Sequence, residues 1–180
     1  MNPRIAIAGA EATGKTALAH ALGAALDVEV VTDPRPALLE ASGCHTLFEA
    51  AKFSPVWAAL LEQQLKSEEK VDRGVFDTCA VDCWAMLQRW GWCGIAPVEV
   101  ERLYQSTVSA AMRFTHVLLM PAIQIAAPGG ARFVNPDYAH QIDRLIRAFI
   151  RDAGLETRVI DVSAGAVEER AAAVLRRVRS

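Results

Sequence analysis

No apolar run in this 180-residue chain approaches the roughly 20 residues that a membrane-spanning helix needs. No excess charge of one sign marks a nucleic-acid surface either, since 19 Lys and Arg are offset by 21 Asp and Glu for a net charge of −2. The N-terminal residues lack the layout of a secretion signal, so the expected location is the cytoplasm. Cysteine is scarce. Cys79 and Cys83 share a helical face, with Cys44 and Cys93 elsewhere, but the paired C-x-x-C spacing of structural zinc sites is missing. Buried, reduced thiols are expected. There is no internal repeat and no low-complexity tract. The four histidines are scattered, and only His45 falls near the candidate pocket by chain position, without an expected catalytic role.

What the chain does have is a hydrophobic fraction of 52% against 22% charged, enough for one substantial core. A single domain over residues 1–180 is expected. Trp57, Trp84, Trp90 and Trp92 fit a large core or the face of a homodimer, and packing is the expected role of Trp90 and Trp92.

The most informative stretch is Gly9-Ala10-Glu11-Ala12-Thr13-Gly14-Lys15-Thr16, followed by Ala17. It fits the phosphate-binding pattern of Gly, four residues, Gly, Lys and Ser or Thr, expected by chance in about 1% of chains this long. The chemistry needs these types at this spacing. Glycines allow a tight turn, backbone N–H groups converge on phosphate oxygens, and a helix N-terminus adds positive potential. Lys15 reaches the β- and γ-phosphates, and Thr16 holds a bridging magnesium ion. The context agrees: Arg4-Ile5-Ala6-Ile7-Ala8 reads as a buried strand before the loop, and Leu18, Leu22, Ala25 and Leu26 recur at helical spacing after it.

Strands and helices then alternate. Strands are expected at Val28–Thr32, Gly74–Asp77, His116–Met120 and Arg158–Val162. Helices are expected from Ser54 to about Lys70, from Cys79 to Trp90, from Pro97 to about Met112, after Asn135-Pro136 as far as Gly154, and in the last residues. Residues 121–137, with two prolines and Gly129-Gly130 but no periodicity, are expected to form a loop or lid. The pattern implies an α/β fold with a parallel sheet covered on both faces. Ligands on such sheets bind at the carboxyl ends of the strands.

That rule selects the candidate site residues. Asp77 ends a strand, where an acid can meet magnesium through water or take the proton of an attacking hydroxyl; the alternative is a helix cap. Asp82, inside the next helix, reads as a solvated or capping group. Asp33 and Arg35 follow the second strand, opposite the nucleotide, and could equally serve the turn around their prolines. Arg132 in the lid could close over the γ-phosphate. Gln64 and Glu68 share a helix face beside the pocket, with an exposed pair as the plainer reading.

Together these pieces resemble the P-loop domain of the NadR-type ribosylnicotinamide kinases, within the P-loop nucleoside and nucleotide kinases. The resemblance runs through Ile5–Thr16, Asp33 and Arg35, the helix of Gln64 and Glu68, Phe76-Asp77-Thr78, and Arg132 before Gln141-Ile142-Asp143. It implies a P-loop NTPase three-layer sandwich with a five-stranded parallel sheet of order 2-3-1-4-5. It also implies ATP with Mg2+ on the loop and γ-phosphoryl transfer to a hydroxyl of a small nucleoside-like acceptor. On this resemblance Asp33, Arg35, Gln64 and Thr78 lie on the acceptor side, although many relatives carry Arg where Thr78 stands. A regulatory ATPase or nucleotide switch without a small-molecule acceptor is the other functional class. A Ras-like GTPase is disfavoured because the guanine-selecting Asn-Lys-x-Asp motif is missing: Asn135 is followed by Pro136 and Asp137.

Overall fold

The structure, a computed structural model, describes residues 3–34, 37, 54–90, 94–123 and 135–179. At its centre lies β1 (Arg4–Ala8), whose five residues are all buried. A strand with a neighbour on each side and helices over both faces has no position left for water, so after Arg4 it is apolar without alternation. β1 pairs in parallel with β3 (Gly74–Phe76) and with β4 (His116–Leu119). β2 (Val30–Val31) lies beyond β3, and β5 (Val159–Asp161) beyond β4. The order β2-β3-β1-β4-β5 is the one the resemblance implied.

The two edge strands are shorter than the sequence pattern. Val28–Thr32 contributes only Val30–Val31, since an edge strand has a single neighbour to bond. Arg158, expected in β5, instead closes a 3-10 turn over Glu156–Arg158. Its guanidinium donates to the carbonyls of Met112 (2.5 Å) and Phe114 (2.7 Å), tying that turn to the chain entering β4.

Six helices are described: α1 (Lys15–Leu26), α2 (Ser54–Glu69), α3 (Ala80–Trp90), α4 (Pro97–Ala111), α5 (Pro136–Asp152) and α6 (Val167–Val178). Their ends follow local chemistry. α4 and α5 start with proline, whose missing N–H is no loss there, and Asn135 Oδ1 accepts the Tyr138 N–H at 3.1 Å. α5 stops where Gly154 takes φ 66° and the N–H of Leu155 returns to the Ile150 carbonyl at 2.9 Å. None of the described helices is long and apolar enough to cross a membrane.

The period-2 alternation of β1 separates two cores. Ile5 and Ile7 join Val75, Leu118 and Ile160 under α1 and α6. Ala6 and Ala8 join Phe76, Val117 and Leu119 on the other face, under α2 to α5. The alanines leave room on that face for aromatics, including Phe76 edge-on to Phe114 at 5.1 Å and Trp57 stacked on Trp90 at 6.5 Å. Trp90, expected to pack, does so, and it also meets Tyr138 of α5 at 6.1 Å.

Candidate phosphate-binding site

Register brings the site together. Ala6 lies level with Phe76 and Ala8 with Leu119, so Gly9, Asp77 and Met120 leave three adjacent strands along one edge of the sheet. Space there is tight: a Cβ on Gly9, at φ 152°, would sit 2.8 Å from the Met120 Cβ. Only glycine fits that approach.

Beyond Gly9 the backbone turns through Ala12 at φ 60° and Gly14 at φ 87° before α1 begins at Lys15. Gly14 caps α1 without any side-chain bond, and the first turn carries no acidic residue. The N-terminal N–H groups of α1 are therefore left to an external anion, favoured by the helix dipole. Lys15 is buried, and its Nζ donates to the carbonyls of Gly9 (2.7 Å) and Ala10 (2.8 Å). Thr13 Oγ1 donates to the same Ala10 carbonyl at 2.9 Å. Glu11 is half-buried, while Thr16 and Ala17 are exposed at the start of α1.

Asp77 follows β3 directly. Its N–H bonds the Val31 carbonyl at 3.0 Å, which fixes the turn, and its side chain is buried. Oδ1 of that carboxylate has no hydrogen-bond partner among the described residues. An acid left in that condition beside a phosphate loop is poised for a ligand or a metal. Asp33, past β2, is half-buried at the same edge. Arg35, His45 and Arg132 lie outside the described residues, as does most of the expected lid over 121–137.

For Gln64 and Glu68 the structure departs from the plainer sequence reading, and for Asp82 it selects capping over solvation. Gln64 and Glu68 are not an exposed pair: both are fully buried where α2 meets the start of α3. Gln64 Nε2 donates to Glu68 Oε1 and to the Thr78 carbonyl, both at 3.0 Å, and Glu68 Oε1 also accepts the Ala80 N–H at 2.5 Å. Thr78, itself buried, is thus engaged through its backbone by the residue expected beside it. Burial pushes the Glu68 carboxyl up to about 7 against the pull of Gln64, the Ala80 N–H and Arg4, with Asp82 adding to the rise.

Asp82 is not solvated. It is fully buried and caps the start of α3, with Oδ2 accepting the Cys79 N–H at 3.1 Å. Its Oδ1 accepts the Gly9 N–H at 2.7 Å, so one carboxylate joins the phosphate loop to the turn after Asp77. Sequence carried one signal for it, a lone charge inside Ala-Val-Asp-Cys-Trp-Ala-Met-Leu. Cys79 and Cys83 are buried thiols. Burial raises Cys79 well above its ordinary range, with Asp82 and Glu68 adding to it, which makes it an inert core group.

A further residue was missed altogether. Arg170 on α6 is buried, and its Nη1 donates to the Thr13 carbonyl at 3.3 Å. It stands between Val167 and Val174 at helical spacing, inside the apolar stripe, and that position was the available signal.

A family model described as an AAA domain matches residues 4–170. No curated protein sequence matches the chain. Among solved structures, the NadR protein in complex with NR superposes with TM-score 0.71 at 16% identity, over 92% of this chain and 46% of that one. The NadR protein in complex with NAD and AMP-PNP gives TM-score 0.68 at 14% identity, over 92% of this chain and 45% of that one. Deoxyadenosine kinase from M. mycoides with bound dCTP gives TM-score 0.68 at 12% identity, over 97% of this chain and 98% of its own. The chain thus spans a little under half of the NadR structures and nearly all of the deoxyadenosine kinase. At these identities the likeness establishes the fold.

Proposed function

The chain belongs to the AAA domain family, and from that premise we propose that it transfers the γ-phosphoryl group of ATP to a hydroxyl of a small nucleoside-like acceptor. One observation carries the reading: a phosphate loop whose helix N-terminus has neither a side-chain cap nor an acidic residue faces, on the adjacent strand, a buried acid whose Oδ1 has no partner among the described residues.

Each residue then has a chemical role. Lys15 now holds two loop carbonyls, Gly9 and Ala10, and exchanges them for phosphate oxygens, acting as a point charge. The loop N–H groups from Ala10 to Thr16 and the start of α1 at Ala17 receive the remaining oxygens. Asp77 takes the proton of the acceptor hydroxyl as its oxygen bonds to phosphorus and the bond to ADP breaks. The oxygen donors Asp77 and Thr16 suit Mg2+, which would neutralise charge on the phosphates. Asp33, Arg35, Gln64 and Thr78 form the acceptor side, Gln64 through the Oε1 that has no partner among the described residues. Arg132, in the 121–137 lid, balances charge on the transferring group. The proposed setting is the cytoplasm, as one domain that could form a homodimer, with neither nucleic acid nor membrane as partner.

What supports a nucleoside-like acceptor is a pair of neighbours on the same fold, the NadR protein in complex with NR and a deoxyadenosine kinase. The test is ADP release from MgATP, alone and against a panel of nucleosides that includes nicotinamide riboside. Acceptor-dependent release that disappears in Asp77→Asn supports the kinase. Slow release indifferent to every acceptor would replace it with the regulatory ATPase.

A further inference from the structure

Arg4 and Arg170 are both buried, at 3% and 5% exposure, yet their surroundings differ. The Arg4 guanidinium donates to the Val71 carbonyl and, at 2.8 Å, to the Glu68 carbonyl. It also lies 4.9 Å from the ring centroids of both Phe76 and Phe114. It is a structural arginine, held by two carbonyls and two rings, although its Nε has no partner among the described residues.

Among the described residues Arg170 makes one hydrogen bond, the 3.3 Å contact from Nη1 to the Thr13 carbonyl. Its Nε, like that of Arg4, has no partner, but Arg170 has no second carbonyl or ring to compensate, and no carboxylate pairs with it among the described residues. A guanidinium carries its charge permanently, and a buried charge without a counter-ion opposes folding. Its one contact is on the loop that receives the phosphates, at the residue just before Gly14 and Lys15. The loop carbonyls are thus divided between two cations: Gly9 and Ala10 go to Lys15, and Thr13 goes to Arg170. Lys15 leaves its carbonyls for phosphate, whereas Arg170 approaches from α6 and keeps the outer side of the loop in place.

We propose that Arg170 is a positioning residue of the nucleotide site, pinning Thr13 from α6, with its buried charge balanced by the bound polyphosphate. The inference rests on the reading above that a nucleoside triphosphate occupies the loop. It assigns to the last helix a part in nucleotide affinity that lies outside the phosphate-loop motif. A structural strut and a nucleotide-side cation make opposite demands on the free protein. Losing a strut lowers the stability of the nucleotide-free chain. Losing a buried charge that lacks a counter-ion removes its desolvation cost, which offsets the single 3.3 Å bond to Thr13, so the loss is felt when the anion arrives.

The experiment compares wild type, Arg170→Met and Arg170→Lys by nucleotide-free melting and by MgATP titration at two salt concentrations. Arg170→Met is expected to melt no lower than wild type without nucleotide while binding MgATP at least ten-fold more weakly, with a shallower salt dependence. Arg170→Lys should recover part of the affinity. Arg170→Met that unfolds, melts lower without nucleotide, or binds MgATP as wild type does would overturn the proposal while leaving the phosphoryl-transfer reading intact. Wild type that fails to bind MgATP would overturn both.

Discussion

Asp82 Oδ1 accepts the N–H of Gly9 at 2.7 Å, across 73 residues of sequence. The first residue of the phosphate loop is thereby fastened to the helix that follows the candidate acid Asp77. Loop and acid are set relative to one another by this carboxylate.

Replacing Asp82 by Asn keeps the volume but turns one acceptor into a donor. Its Oδ1 can serve Gly9 or Cys79, and the other N–H then faces an amide donor in a buried site. The expected loss is about 2 kcal/mol of unfolding free energy, with weaker MgATP binding because the loop entry loosens. Urea denaturation and nucleotide titration measure the two effects. An unchanged midpoint would show that the bond adds nothing.

Glu68 makes stability depend on pH. Its folded-state value of about 7 lies above the ordinary 4.5, so the native protein holds this proton more tightly than the unfolded chain. The stabilising contribution is fully present below about 4.5 and is lost as pH rises through about 7. The whole swing is about 3 kcal/mol at most. Glu68→Gln should flatten that part of the profile, which denaturation of both proteins at pH 5 and pH 8 reads directly. Parallel losses in the two proteins between those pH values would contradict the assignment.

Ala12 holds φ 60° inside the loop, a left-handed conformation that a side chain with a Cβ adopts at a cost of roughly 1 kcal/mol. Ala12→Gly should relieve it and raise stability by up to about 1 kcal/mol, partly offset by the greater freedom of glycine in the unfolded chain. A lower melting temperature in the glycine variant would mean that the Ala12 methyl makes packing contacts worth more than the strain.

Lys15→Ala separates chemistry from folding. The Ala10 carbonyl keeps the Thr13 hydroxyl as donor, so the nucleotide-free variant should still fold and melt close to wild type while turnover falls on the order of 100-fold or more. A chain that fails to fold without Lys15 would make the lysine a structural strap and remove it from the catalytic machinery.

Much of this molecule was legible before its structure. Five strand positions, the loop from Gly9 to Thr16 and Asp77 at a strand end all follow from local patterns: apolar runs, helical spacing, and glycines where the backbone must turn. Strand order came from resemblance, and the sheet bears it out. Strand length at the edges did not follow: Val28–Thr32 has the composition of a strand, but only Val30–Val31 pairs in register with β3, with the Glu29 carbonyl adding one bond to Val75.

The placement of polar side chains was decided by tertiary packing alone. Gln64 and Glu68 sit four apart on a helix, which by itself is the geometry of an exposed pair. They become a buried bracket because α3 lies against α2 and offers the carbonyl of Thr78 and the N–H of Ala80. Asp82 and Arg170 reach loop residues 73 and 157 positions away. Sequence determines which backbone conformations and which apolar faces are available, since those depend on neighbours within a turn or two. Whether a charge on such a face meets water or another element's backbone is settled only when the layers close, because its partner belongs to a distant part of the chain.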